Sequence, residues 1–174
     1  MAAHIERGRL ESLSDLVFGL ALSIGALILI GQAPSSAPNL MSDVSQFGYS
    51  FLGLITVWYR HTRTMAVFQV EAAWAMRLNF ALLFLVSIEP FLFNLLFTET
   101  RSTSLTPFGN VSTAAHGLDL AGLLGILAAL TYVAEQQAHR RGDVAVAGRF
   151  ASESRLLAIG ALMFGVSIVP QFYV

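Results

Sequence analysis

Apolar residues in this chain gather into five blocks, each bounded by short polar segments. A helix needs about 20 predominantly apolar residues to cross a hydrocarbon layer about 30 Å thick. The blocks predict spans over 12–31, 44–61, 78–97, 111–134 and 156–173. The third, Leu78 to Phe97, is the cleanest. Connections are short except for Gln136–Ser154, a polar segment too small for a domain, which reads as a linker. The pattern predicts an all-α integral membrane protein, with residues 1–174 forming one bundle of about five transmembrane helices.

Composition agrees with a bilayer rather than a globular core. The chain is 55% hydrophobic and 12% charged, whereas a soluble domain carries about 25% charged residues. A net charge of −1 leaves no basic surface for nucleic acid. The absence of cysteine excludes disulfides, thiolate metal sites and cysteine nucleophiles. All ten basic residues are arginine. Arg7 and Arg9 precede span one, Arg60, Arg63 and Arg77 lie between spans two and three, and Arg140, Arg141, Arg149 and Arg155 lie between spans four and five. These segments alternate onto one side, and the other side carries only Arg101. By the positive-inside bias the N-terminus is expected in the cytoplasm, Val174 outside, and the protein in the inner (plasma) membrane. A cleavable signal is the other reading of span one, with 33–37 as a loose cleavage site. A leader containing Glu6, Glu11 and Asp15 suits that reading poorly.

Charge at the mouth of a membrane helix is costly unless paired or wetted. Arg9, Ser14 and Asp15 open span one, Trp58 and His61 close span two, and Asn79 opens span three, all at the arginine-rich level. Trp58 and His61 share a helix face by their i,i+3 spacing. Asp15 supplies acceptors only, while arginine, indole, imidazole and amide groups supply donors. The six residues are candidates for a hydrogen-bond network joining three helices. Ordinary interfacial placement of Trp and Arg is the alternative.

Span one also carries a stripe, Leu16, Leu20, Ser23, Leu27 and Ile30, at 4-3-4-3 spacing on one helix face. A lipid-facing or core stripe is the usual meaning of leucine at this spacing. A pore wall is the functional one: leucine rings close a channel by dewetting, and a serine ring offers oxygen ligands to a cation. Gly19 and Gly25 lie off the stripe, where small residues permit close helix approach. Glu89-Pro90 falls mid-span in the third helix, where a carboxylate costs about 2.5–3.5 kcal/mol on insertion scales, and Pro90 is expected to kink the helix. Glu89 reads either as a proton or ion relay or as a protonated acid bonded to a neighbouring helix. His116 and Asp119 are i,i+3 in span four, two ligands being too few for a metal site. No nucleophile elbow, phosphate loop or HExxH motif occurs. An enzyme is not expected, nor a cofactor.

Arg9-x-x-x-Leu13-Ser14-Asp15, opening an N-terminal membrane helix, resembles the Arg-x-x-x-Phe-Ser-Asp signature of prokaryotic members of the transmembrane protein 175 family, relatives of the endolysosomal potassium channel. The run Leu16 to Ile24, Trp58-x-x-His61, Asn79 and Pro90 are similar to the family pattern as well. Leu13 stands where the motif has phenylalanine, Ser23 where threonine is usual, and five spans are counted against the family's six. The resemblance implies a homotetrameric, potassium-permeable cation channel in the bilayer, lined by the first helix and conducting monovalent cations passively. It implies Leu20 as the main hydrophobic constriction, Ser23 as a hydroxyl layer and Leu27 as a second ring. Arg9, Ser14 and Asp15 would bond with Trp58, His61 and Asn79 to hold that helix. The rival reading is a proton-coupled small transporter or proton leak using Glu89.

Overall fold

The computed structural model describes residues 2–31, 36–67, 73–101 and 107–169. They form five helices: α1 (Ala2–Gly31), α2 (Ala37–Val67), α3 (Ala73–Arg101), α4 (Pro107–Arg140) and α5 (Val144–Ser167). Even α5, at 24 residues, is about 36 Å long. α1, α3, α4 and α5 are long and apolar enough to cross a membrane, over Gly8–Ile28, Trp74–Leu96, Val111–Arg140 and Val144–Ser167. The chain is an all-helical, multi-pass membrane protein.

α2 is as long but more polar, and its packing explains why. Asp43, Leu54, His61, Thr64 and Met65 are its buried residues, spaced so that they recur on one side of the helix. Three of its polar residues, Asp43, His61 and Thr64, thus face other helices, while Ser42, Ser45, Thr56, Thr62 and Arg63 are exposed. α3 is continuous across Pro90. The bundle is held by α4, which packs most extensively on α5 and then on α3, while α1 packs on α3 and α2. Leu82 and Val86 of α3 meet Leu123, Leu127 and Leu130 of α4 in a fully buried centre. Small residues set the helix spacing. A side-chain carbon at Gly122 would lie 2.8 Å from Leu85 Cδ1, and one at Gly160 would lie 3.1 Å from Leu124 Cδ1. Of the two glycines singled out in α1, a side-chain carbon at Gly25 would lie 3.5 Å from the Phe47 ring, an ordinary contact, whereas one at Gly19 would meet open space.

The segment Gln136–Ser154 is not a linker. α4 runs on to Arg140 and α5 begins at Val144, leaving a turn of Arg141, Gly142 and Asp143. The Asp143 N–H donates to Ala138 O at 3.1 Å and the Gly142 N–H to His139 O at 3.0 Å. That is the Schellman pattern of a helix end, and its left-handed position is filled by Gly142 at φ 78°. The Asp143 side chain then caps α5, accepting from the Val146 N–H at 3.1 Å. Polarity hid a helical hairpin because its seam is small: Ala138, Ala147, Phe150 and Ser154 are buried while their neighbours face out. The predicted span 156–173 therefore begins too late. It also overshoots the helix end, since α5 stops at Ser167 with Ile168 as its C-cap, just ahead of Pro170. Residues 170–173 lie outside the described part of the chain. Asp143→Ala is expected to cost about 0.5–2 kcal/mol, read as a lower unfolding midpoint in detergent.

Candidate functional site

The polar residues that the bilayer should reject fall into two layers. At the arginine-rich level, Trp58 Nε1 donates to Asp15 Oδ1 at 2.8 Å, tying α2 to α1. One turn further along α2, His61 Nε2 donates to Asn79 Oδ1 at 2.7 Å, tying α2 to α3. An amide oxygen only accepts, so this bond fixes the imidazole with its proton on Nε2. Both His61 and Asn79 are buried, and the Phe18 ring of α1 lies 5.9 Å from the imidazole. His61 is thus the point where three helices touch.

The six residues do not form one continuous network. Ser14 is buried but donates to the Leu10 carbonyl of its own helix at 2.9 Å. Arg9 is exposed and takes part in neither inter-helix bond. The reason is direction: a residue six positions before Asp15 lies on a different side of α1. Sequence reasoning also missed a third tie at this end. Thr64, one turn beyond His61, lies 3.3 Å from Thr131 of α4 through their hydroxyls. Its i,i+3 relation to His61 was the available signal, but nothing in the spacing pointed to Thr131. Further toward this end, Arg60 pairs with Glu153 of α5 at 3.6 Å.

The second layer lies near the middle of α3. Glu89 is buried and accepts from Ser50 Oγ of α2 at 3.2 Å. His116 sets its ring edge-on to Phe93 at 5.7 Å between centroids. Glu89 lies one turn from Phe93 on α3 and Asp119 one turn from His116 on α4, so the contact between the Phe93 and His116 rings sets the two carboxyl groups on facing sides of these helices. Leu54, Leu82, Val86, Leu123 and Leu127, all buried, fill the space between the two layers. Glu89 and Asn79 are ten residues apart on α3, about 15 Å, and among the described residues no buried polar side chain of α3 bridges that gap.

α1 presents two contrasting faces. Ser14, Phe18 and Ala21 are buried against the bundle. The predicted stripe points away from it: Leu16 is 68% exposed, Leu20 57%, Leu27 65% and Ile30 77%. Ser23 is on the same exposed face, its hydroxyl donating to Gly19 O at 2.8 Å. With its proton committed to the backbone, the serine oxygen presents lone pairs outward.

Residues 9–90 match the family model described as the endosomal/lysosomal potassium channel TMEM175. No curated protein matches the sequence. Among solved structures, the fold is similar to the crystal structure of a lysosomal potassium-selective channel TMEM175 homolog from Chamaesiphon minutus. That likeness has a TM-score of 0.65 at 20% identity, over 96% of this chain and 90% of that one. The family match takes in α1, α2 and the first part of α3, just under half of the chain, while the likeness in fold runs over nearly all of it.

Proposed function

We propose that the protein is a potassium-permeable channel of the inner membrane, with its N-terminus cytoplasmic. Four copies of α1 line the pore of a homotetramer, and monovalent cations pass down their gradient. The observation that carries this reading is the exposed face of α1. A first helix buried on one side by its own bundle and bare on the other, with a hydroxyl between leucines, fits a wall that awaits symmetry mates. Leu20 is the narrow hydrophobic ring, Leu27 the second, and Ser23 an oxygen layer between them. Rings of this kind gate by dewetting. The Asp15–Trp58 and His61–Asn79 bonds hold the helix from behind and leave conduction to the other face. The family model's description as a potassium channel and the homolog's fold support the choice of ion.

Purified protein in liposomes is expected to pass potassium down a gradient and to run as a tetramer when its mass in detergent is measured. A monomer, or tetramers that carry no potassium, would refute the proposal.

A further inference from the structure

The layer around Glu89 has no part in a pore lined by α1, yet it holds the bundle's least satisfied groups. Asp119 is only 4% exposed, and among the described residues neither of its carboxylate oxygens has a hydrogen-bond partner. His116 Nδ1 is buried and equally unpartnered. Buried polar groups left unmatched cost several kcal/mol when charged, so a native site normally supplies a partner.

The arrangement says what that partner is. Among the described residues Glu89 has one donor, Ser50, and Asp119 has none. Two buried carboxyl groups on facing sides of neighbouring helices need a counter-charge between them. The neighbours bring none that is fixed. From α2 the ionisable groups at this end are Asp43 and Tyr49, whose ring stacks on Phe93 at 6.1 Å between centroids. From α4 they are His116 and Asp119. α1 brings no ionisable residue between Leu16 and Gly31. Among the described residues no three His, Asp or Glu side chains converge as a multivalent metal requires, so a single charge fits. Toward the arginine-rich end the leucine layer closes the site.

We propose that Glu89 and Asp119, with Ser50 beside them, form a binding site for one positive charge inside each subunit, supplied as a proton or as an alkali-metal ion. Bound, that charge joins α2, α3 and α4. Empty, the two carboxylates repel and the three helices loosen. The site lies within one chain and stands whether or not the protein conducts.

Thermal unfolding of the full-length protein in detergent tests this, with choline as the only cation in the buffer and pH raised from 5 to 9. Raising pH in the absence of alkali ions empties the proposed site and leaves two facing carboxylates to repel, so stability falls as pH rises. The wild-type midpoint is expected to drop by roughly 5–10 °C across that range. Asp119→Asn and Glu89→Gln keep the shape and remove one charge, and each is expected to flatten the profile. Potassium or sodium chloride added at pH 9 restores the wild-type midpoint, but not a variant's, if the alkali ion is the ligand. No restoration assigns the site to the proton. A flat wild-type profile, or the same slope in both variants as in wild type, would overturn the proposal.

Discussion

Replacing Leu20 with alanine is expected to raise potassium flux into liposomes by roughly tenfold or more. Each tenfold corresponds to about 1.4 kcal/mol off the barrier. Dewetting depends on the apolar area that lines a constriction, and in a tetramer one substitution trims four side chains at once. Leu20→Asn, similar in size but able to hold water, should raise flux further. Leu156 on α5 supplies the control, since it is 64% exposed against 57% for Leu20. Exposure alone does not separate a pore leucine from a lipid-facing one. Leu156→Ala should therefore leave flux unchanged. Equal effects at the two positions, or none at either, would remove α1 from the pore.

The second large effect is expected at His61, and it concerns assembly. His61→Ala removes the bond to Asn79, leaves that amide oxygen buried without a donor, and opens a cavity beside Phe18. The orphaned group costs about 1–3 kcal/mol, and truncation of a buried ring adds a cavity term. Together these should lower the unfolding midpoint by about 10 °C and reduce the tetramer fraction in detergent. Asp15→Asn is the milder companion. It keeps an oxygen for the Trp58 indole and loses only the charge assistance, so a smaller loss of assembly is expected, without a change in ion preference. A His61→Ala protein that assembles and melts as wild type would show that the three-helix contact is not what positions α1.

The helical membrane class was legible because apolar blocks of spanning length have few other meanings. α1 and α3 were the clearest, since their composition is nearly uniform. α2 was harder: its polar residues look like loop until Asp43, His61 and Thr64 are seen to share a buried side. The α4–α5 turn was illegible for the opposite reason. Its seam is alanine, serine and one phenylalanine, and a helix built on small residues gives little periodic signal against a polar background. Among the site residues, Trp58 and His61 were placed on one face by spacing. Spacing did not reveal that they reach different helices, Asp15 on α1 and Asn79 on α3. Arg9 shows the limit from the other direction. Nearness along the chain suggested a partner for Asp15 that helix geometry then turned aside. The charge site proposed around Asp119 needed coordinates, because an absence of partners has no signature in sequence.

The turn at Arg141–Asp143 has a consequence for how the chain reaches its final form. The most extensive helix pairing in the bundle, α4 with α5, joins neighbours in sequence across three residues. Loop closure there is nearly free of entropic penalty, and contacts this local form early. The last two helices are thus equipped to zip together as they leave the ribosome, before any other pairing is needed. α1 packs on its neighbour α2 but more extensively on α3, a pairing that waits until α2 has been laid down between them. The helix with the bare face is thus positioned by packing of longer range along the chain than the pair across that turn.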